Sequence, residues 1–122
     1  ITVQIVDDQV KLVAGQNELV MDQAGAAGGS TLVQAGRTRV TLNQDGDLTI
    51  EAAGNISLKT STGDVTIEGR SITLKSTMDT TIDAGMQASV TGGISATLSG
   101  NITATVKGGL IQVNGTTIFS PA

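Results

Sequence analysis

The sequence predicts an all-β fold, wound as a β-solenoid of eight-residue repeats, and three observations carry that prediction. First, between residues 74 and 110 every even position is apolar or small, with Ser76 and Thr80 its only hydroxyl-bearing members, and every odd position is polar or Gly. That period of two marks a strand with one buried face. Second, the large residues of that face recur every eight positions. Met78, Met86, Ile94, Ile102, Leu110 and Ile118 form one series, and Leu74, Ile82, Val90, Leu98 and Val106 form another. Third, small residues separate them in the same rhythm: Thr80, Ala88, Ala96 and Ala104, then Ser76, Ala84, Gly92, Gly100 and Gly108. Globular strands run about 3–10 residues, so this stretch has to bend. The octad shows where: one short strand and one corner per repeat.

Composition predicts that several chains share the core. The 122 residues make one domain by length and include 16 Gly, a single aromatic residue (Phe119) and no His, Cys, Trp or Tyr. Large parcels of buried aromatic area are therefore missing, and a thin core of Ile, Leu, Val and Met must do instead. A lone chain of eight-residue coils would bury too little to offset about 1–2 kcal/mol of backbone entropy per residue. The net charge of −4 argues against nucleic acid, which needs clustered Lys and Arg, and against an anionic membrane surface. No run approaches the ~20 apolar residues of a membrane-spanning helix. No signal peptide is visible, and a first residue other than Met is expected of a piece of something longer.

Taken in order, residues 1–30 read as an irregular β lead-in and residues 31–122 as a needle with a C-terminal tip. Val3 and Ile5 alternate with Thr2 and Gln4, and Val10 and Leu12 follow after Asp7 and Asp8. Gly15, Gln16 and Asn17 signal a turn between residues 10–14 and 18–21, as a hairpin or a solenoid corner. Residues 22–30 read as a loop. Gly-rich at its centre, it lacks the spacing of a phosphate-cradling motif, and no helix follows. From Thr31 the octad assembles through Leu32, Val40 and Leu48, and through Leu42, Ile50 and Leu58. Val65 and Ile67 then come nine residues after Ile56 and Leu58, whereas Ile72 and Leu74 come seven after that. The two slips cancel, with Gly63 and Gly69 absorbing them at neighbouring corners as bulges do. An uncompensated slip would turn every later side chain inside out. Beyond Asp83 only Lys107 is charged, so the outward positions become a coat of Thr, Ser, Asn, Gln and Gly. Pro121 suits a strand that has to stop. No segment reads as a helix.

Catalytic chemistry finds little to work with. The absence of His and Cys excludes Ser-His and Cys-His nucleophiles and imidazole metal sites. Paired acids remain: Asp7 with Asp8, Asp45 with Asp47 across Gly46, and Asp79 with Asp83. They read as solvated turn and strand residues that limit edge aggregation. Glu51, Lys59, Glu68 and Lys75 are expected to form weak exposed cross-strand pairs. No catalytic residue, cofactor or metal is expected, and the chain reads as no enzyme.

The run Gly-Asp-Leu-Thr-Ile-Glu-Ala-Ala-Gly-Asn-Ile-Ser-Leu-Lys at 46–59 resembles the C-terminal needle of VgrG-type and contractile phage tail (gpV-like) spikes. The run Gly-Asp-Val-Thr-Ile-Glu-Gly-Arg-Ser-Ile-Thr-Leu-Lys at 63–75 resembles it too. The resemblance covers about residues 31–118. It implies an intertwined triple-stranded β-helix: a triangular prism of three identical chains with octad repeats. Its function would be that of a membrane-puncturing spike in a type VI secretion system, phage tail or extracellular contractile injection system. The trimer core it implies is Leu74, Met78, Ile82, Met86, Val90, Ile94, Leu98, Ile102 and Val106. Octads from Gly46 to about residue 118, at ~4.8 Å each, would make a needle on the order of 40 Å. Some phage needles finish in a histidine-bound metal apex, which this chain cannot build. The resemblance then implies a separate PAAR-repeat cap docking at Leu110, Ile111, Val113, Ile118 and Phe119. It also implies tail tube or hub proteins on the N-terminal side, a target cell envelope, and a location in a phage tail or injection particle. Two competing expectations are a trimeric adhesin stalk and an ice-binding β-solenoid, the latter prompted by outward Thr91, Thr97, Thr103 and Thr105. A polysaccharide lyase on a single-chain β-helix ranks last, since such coils are longer and use aromatic clefts.

Overall fold

Six strands form one antiparallel sheet at the start of the chain: β1 (Thr2–Val6), β2 (Gln9–Ala14), β3 (Asn17–Asp22), β4 (Ser30–Ala35), β5 (Thr38–Asn43) and β6 (Leu48–Glu51). The structure, a computed structural model, describes residues 1–23 and 29–120. The sheet is a simple meander in which each strand pairs with the next. Asp22 and Ser30, expected as the ends of a loop, are partners in the ladder between β3 and β4. Residues 24–28 of that loop lie outside the described residues.

Turn chemistry explains the meander. Gly15 has φ +60° and Gly36 has φ +56°, and among the described residues no other residue type has a positive φ. Gly15-Gln16 and Gly36-Arg37 are thus two-residue turns with Gly at the first central position. This is the primed geometry whose twist matches antiparallel strands. The amide of Gly36 donates to the carbonyl of Gln16 at 2.9 Å, so the two turns tie neighbouring hairpins together. At the other end, Asp47 N donates to Asp45 Oδ1 at 3.4 Å, and Gly46 between them has φ +106°. Those acids shape the connection between β5 and β6.

The octads of residues 31–51 fold differently from the expected solenoid coils. A six-residue strand and a two-residue turn also repeat every eight residues, as at β4 and β5. Octad spacing is therefore common to a hairpin meander and a solenoid, and the Gly-X turn decides for the hairpin. The sheet accordingly runs past residue 30 to Glu51.

Two compact units divide the chain, Ile1–Glu68 and Gly69–Ala122. In the first, residues after β6 are extended and bend at 53–54 and 61–63, where the amide of Gly63 donates to Thr60 Oγ1 at 3.2 Å. In the second, residues 69–120 form neither strand nor helix and bend at 70, 77–78, 85–86, 93–94, 101–102, 109–110 and 115. Eight residues separate successive bends from 77–78 to 109–110. The corners expected from the octad are present there. What is missing is pairing: the described residues after β6 belong to no strand ladder, and there is no helix among the described residues.

Candidate functional site: uncovered apolar faces and the C-terminal end

The sheet carries an apolar face whose side chains are exposed or half-buried. One line of ladder partners reads Val3, Leu12, Leu19, Val33, Val40 and Ile50 from β1 to β6. A second, two residues along each strand, reads Ile5, Val10, Met21, Thr31, Leu42 and Leu48. Residues two apart in a strand share a face, so these twelve positions make one surface. Leu12, Met21, Val33, Leu42, Leu48 and Ile50 are all exposed. The opposite face carries the polar pairs. Lys11 Nζ lies 3.1 Å from Glu18 Oε1, Arg39 Nη2 lies 3.5 Å from Glu51 Oε2, and Gln9 Nε2 donates to Asp22 Oδ2 at 3.1 Å. Glu51 thus pairs with Arg39 and not with Lys59. An asymmetric sheet of this kind is built to have its apolar side covered. The surface was half visible in the sequence as alternation. Its continuity across six strands was not, because that depends on register.

In the second unit the residues expected to form the core are all exposed. Met78, Met86, Ile94, Ile102 and Leu110 are each the second residue of a bend, and Leu74, Ile82, Val90, Leu98 and Val106 sit in the extended runs between bends. All are exposed. Ile94 at 103% projects free of its own chain, and even Val106, the most sheltered of them, is 64% exposed. No hydrophobic side chain among the described residues is buried. The accessible surface is 11763 Å², nearly twice the roughly 6,100 Å² of a compact monomer of 12.3 kDa.

The small positions show how closely the backbone folds at these corners. A Cβ added to Gly92 would collide with the carbonyl oxygen of Ser95, and one added to Gly100 with that of Thr103. At Gly85, Gly93 and Gly109, by contrast, an added Cβ would meet nothing within 4 Å. Gly92 and Gly100 are therefore small for a steric reason, whereas Gly85, Gly93 and Gly109 within the bends face open space. The hydroxyl-bearing octad differs: Ser76 Oγ and Thr80 Oγ1 are 2.7 Å apart.

Near the C-terminus the alternation changes phase. Even positions are apolar through Leu110, then Ile111 and Val113 take over at odd positions, and Ile118 and Phe119 are adjacent. A bend at Gly115, with φ +108°, closes this shortened unit. Leu110, Ile111, Val113, Ile118 and Phe119 are all exposed. Apolar side chains thus occur at both parities here, unlike in residues 74–110.

The acidic pairs are dispersed: Asp7 and Asp8 in the turn after β1, Asp45 and Asp47 around Gly46, and Asp79 and Asp83 in the second unit. No group of three or more metal-capable side chains comes together among the described residues. Comparison with protein-family models finds no match, and comparison with curated proteins finds no significant one.

Proposed function

We propose that this chain is the needle of a membrane-puncturing spike of the contractile injection kind, a trimer of identical chains. One observation carries the reading: the octad residues of the second unit are all solvent-exposed on a backbone that bends every eight residues and pairs with no strand. Backbone donors and acceptors and a periodic apolar edge left open together call for partners with the same periodicity. Copies of the same chain supply them at every level. Three extended chains wound together would exchange ladder bonds and turn the even-position side chains inward. The bare face of the six-stranded sheet adds a second surface to the same assembly.

Function follows from such a stack. Ladder bonds linking three chains along the needle would leave no free edge on its sides, and the rod would resist bending. Axial force could then pass to the end bearing Leu110, Ile111, Val113, Ile118 and Phe119. The phase change at Ile111 and Val113 puts apolar side chains where the two preceding octads carry Thr or Ser, which suits a docked cap. A PAAR-repeat protein is the partner proposed there, and tail tube or hub proteins are proposed on the N-terminal side. The sparsely charged, hydroxyl-rich outer positions after Asp83 suit passage through an envelope. The role is mechanical, without catalysis.

Native mass spectrometry and light scattering test the assembly. A trimer that survives SDS without heating is expected, and a stable monomer would overturn the reading in favour of a single-chain solenoid such as an ice binder. For the tip, Ile118→Asp with Phe119→Asp is expected to leave the trimer mass unchanged and to abolish binding of a PAAR-repeat protein in a pull-down. Undiminished capture would remove the tip from the proposal.

A further inference from the structure

We propose that the Ser76–Thr80 corner sets the register in which the chains of the needle align, an inference that rests on the assembly just described. The need for such a device comes from the repeat. Between residues 82 and 110 each octad nearly copies the next: Ile82, Val90, Leu98 and Val106 in one series, Met86, Ile94, Ile102 and Leu110 in the other, with Ala or Gly between. A chain displaced by one octad against its neighbours still meets side chains of similar volume, and swaps of that kind cost little in packing. Apolar complementarity therefore leaves alignment almost degenerate, the condition under which strands slip.

One octad of the second unit breaks the degeneracy. At residues 74–81 both small core-facing positions carry hydroxyls, and Ser76 Oγ and Thr80 Oγ1 lie 2.7 Å apart on either side of the bend at 77–78. Each hydroxyl has one proton to donate and two lone pairs. The mutual bond uses one proton, so each corner retains one donor with acceptor capacity to spare. Three aligned chains bring three such corners to one level, where each donates to the next in a closed ring. A chain slipped towards the C-terminus brings its corner instead to Ala84 and Ala88, which accept nothing. A buried donor without an acceptor is costly where a paired one is nearly neutral. The corner thus contributes little to affinity and much to alignment, as a lone buried polar residue does in a coiled coil.

Disulfide trapping tests this, since the chain has no Cys of its own. A Met86→Cys pool and an Ile94→Cys pool are refolded together and oxidised, and the cross-linked products are identified by mass. Aligned trimers join 86 to 86 and 94 to 94; a one-octad slip joins 86 to 94. With Ser76 and Thr80 present, aligned products are expected to dominate. In the Ser76→Ala, Thr80→Val background the 86–94 product is expected to rise about tenfold or more at unchanged trimer mass, and Thr80→Ser is expected to keep the parent pattern. Abundant 86–94 product in the parent, or none in the double variant, overturns the register proposal while the trimer stands. Monomers throughout overturn the assembly and this proposal together.

Discussion

Leu12 in β2 and Leu19 in β3 are direct partners across the Gly15-Gln16 turn, and both belong to the apolar face of the sheet, Leu12 exposed and Leu19 half-buried. A two-residue hairpin places them side by side, and register carries the same face out to Val3 and Ile50. In the proposed assembly this face is the surface that the other chains would cover.

Leu19→Lys is accordingly expected to prevent assembly, because a cation would enter a surface that becomes interior, at a cost of about 3 kcal/mol or more per chain. Thr49→Lys, which places the same charge on the opposite face of the sheet, is expected to leave assembly intact. Size-exclusion chromatography with light scattering distinguishes them. Equal behaviour of the two variants would mean that the apolar face is not an interface.

Gly36→Ala is expected to destabilise by about 1–2 kcal/mol per chain, the cost of a side chain in the left-handed region. Gly36 has φ +56°. Gly54→Ala, at a residue without positive φ and with no atom within 4 Å of its added Cβ, is expected to be neutral or slightly stabilising. Thermal melts followed by circular dichroism compare the two, and a neutral Gly36→Ala would contradict the primed turn.

The glycines of the second unit divide in a similar way. Gly92→Ala and Gly100→Ala drive a Cβ into the backbone of Ser95 and Thr103 and are each expected to cost about 1–3 kcal/mol. Gly93→Ala and Gly109→Ala meet open space and are expected to change the melting temperature little. Adjacent substitutions at 92 and 93 with the same effect would show that the corner geometry is not retained in solution.

Arg39 and Glu51 face each other at 3.5 Å with both side chains more than half exposed. Such a pair contributes about 0–1 kcal/mol and is screened by salt. Arg39→Ala is therefore expected to lower stability slightly in dilute buffer and hardly at all at high ionic strength. A large, salt-independent loss would show that Arg39 serves another purpose.

By itself the sequence determined the β character and the eight-residue rhythm, because alternation and glycine placement are local properties. Spacing alone gave two equivalent series, and it is the backbone that puts Met78, Met86, Ile94, Ile102 and Leu110 at the bends and leaves Leu74, Ile82, Val90, Leu98 and Val106 between them. The tertiary structure decided what an octad does in each part of the chain. Around Gly15 and Gly36 it is a hairpin arm in an antiparallel sheet, and among the described residues beyond Glu51 it belongs to no strand ladder. Period eight arises equally from six residues and a tight turn or from one edge and corner of a coil, and only backbone conformation separates them. The continuous face from Val3 to Ile50 also needed the register of five ladders, which is non-local. The pairing of Glu51 with Arg39 depended on the same register, which no spacing within one strand contains.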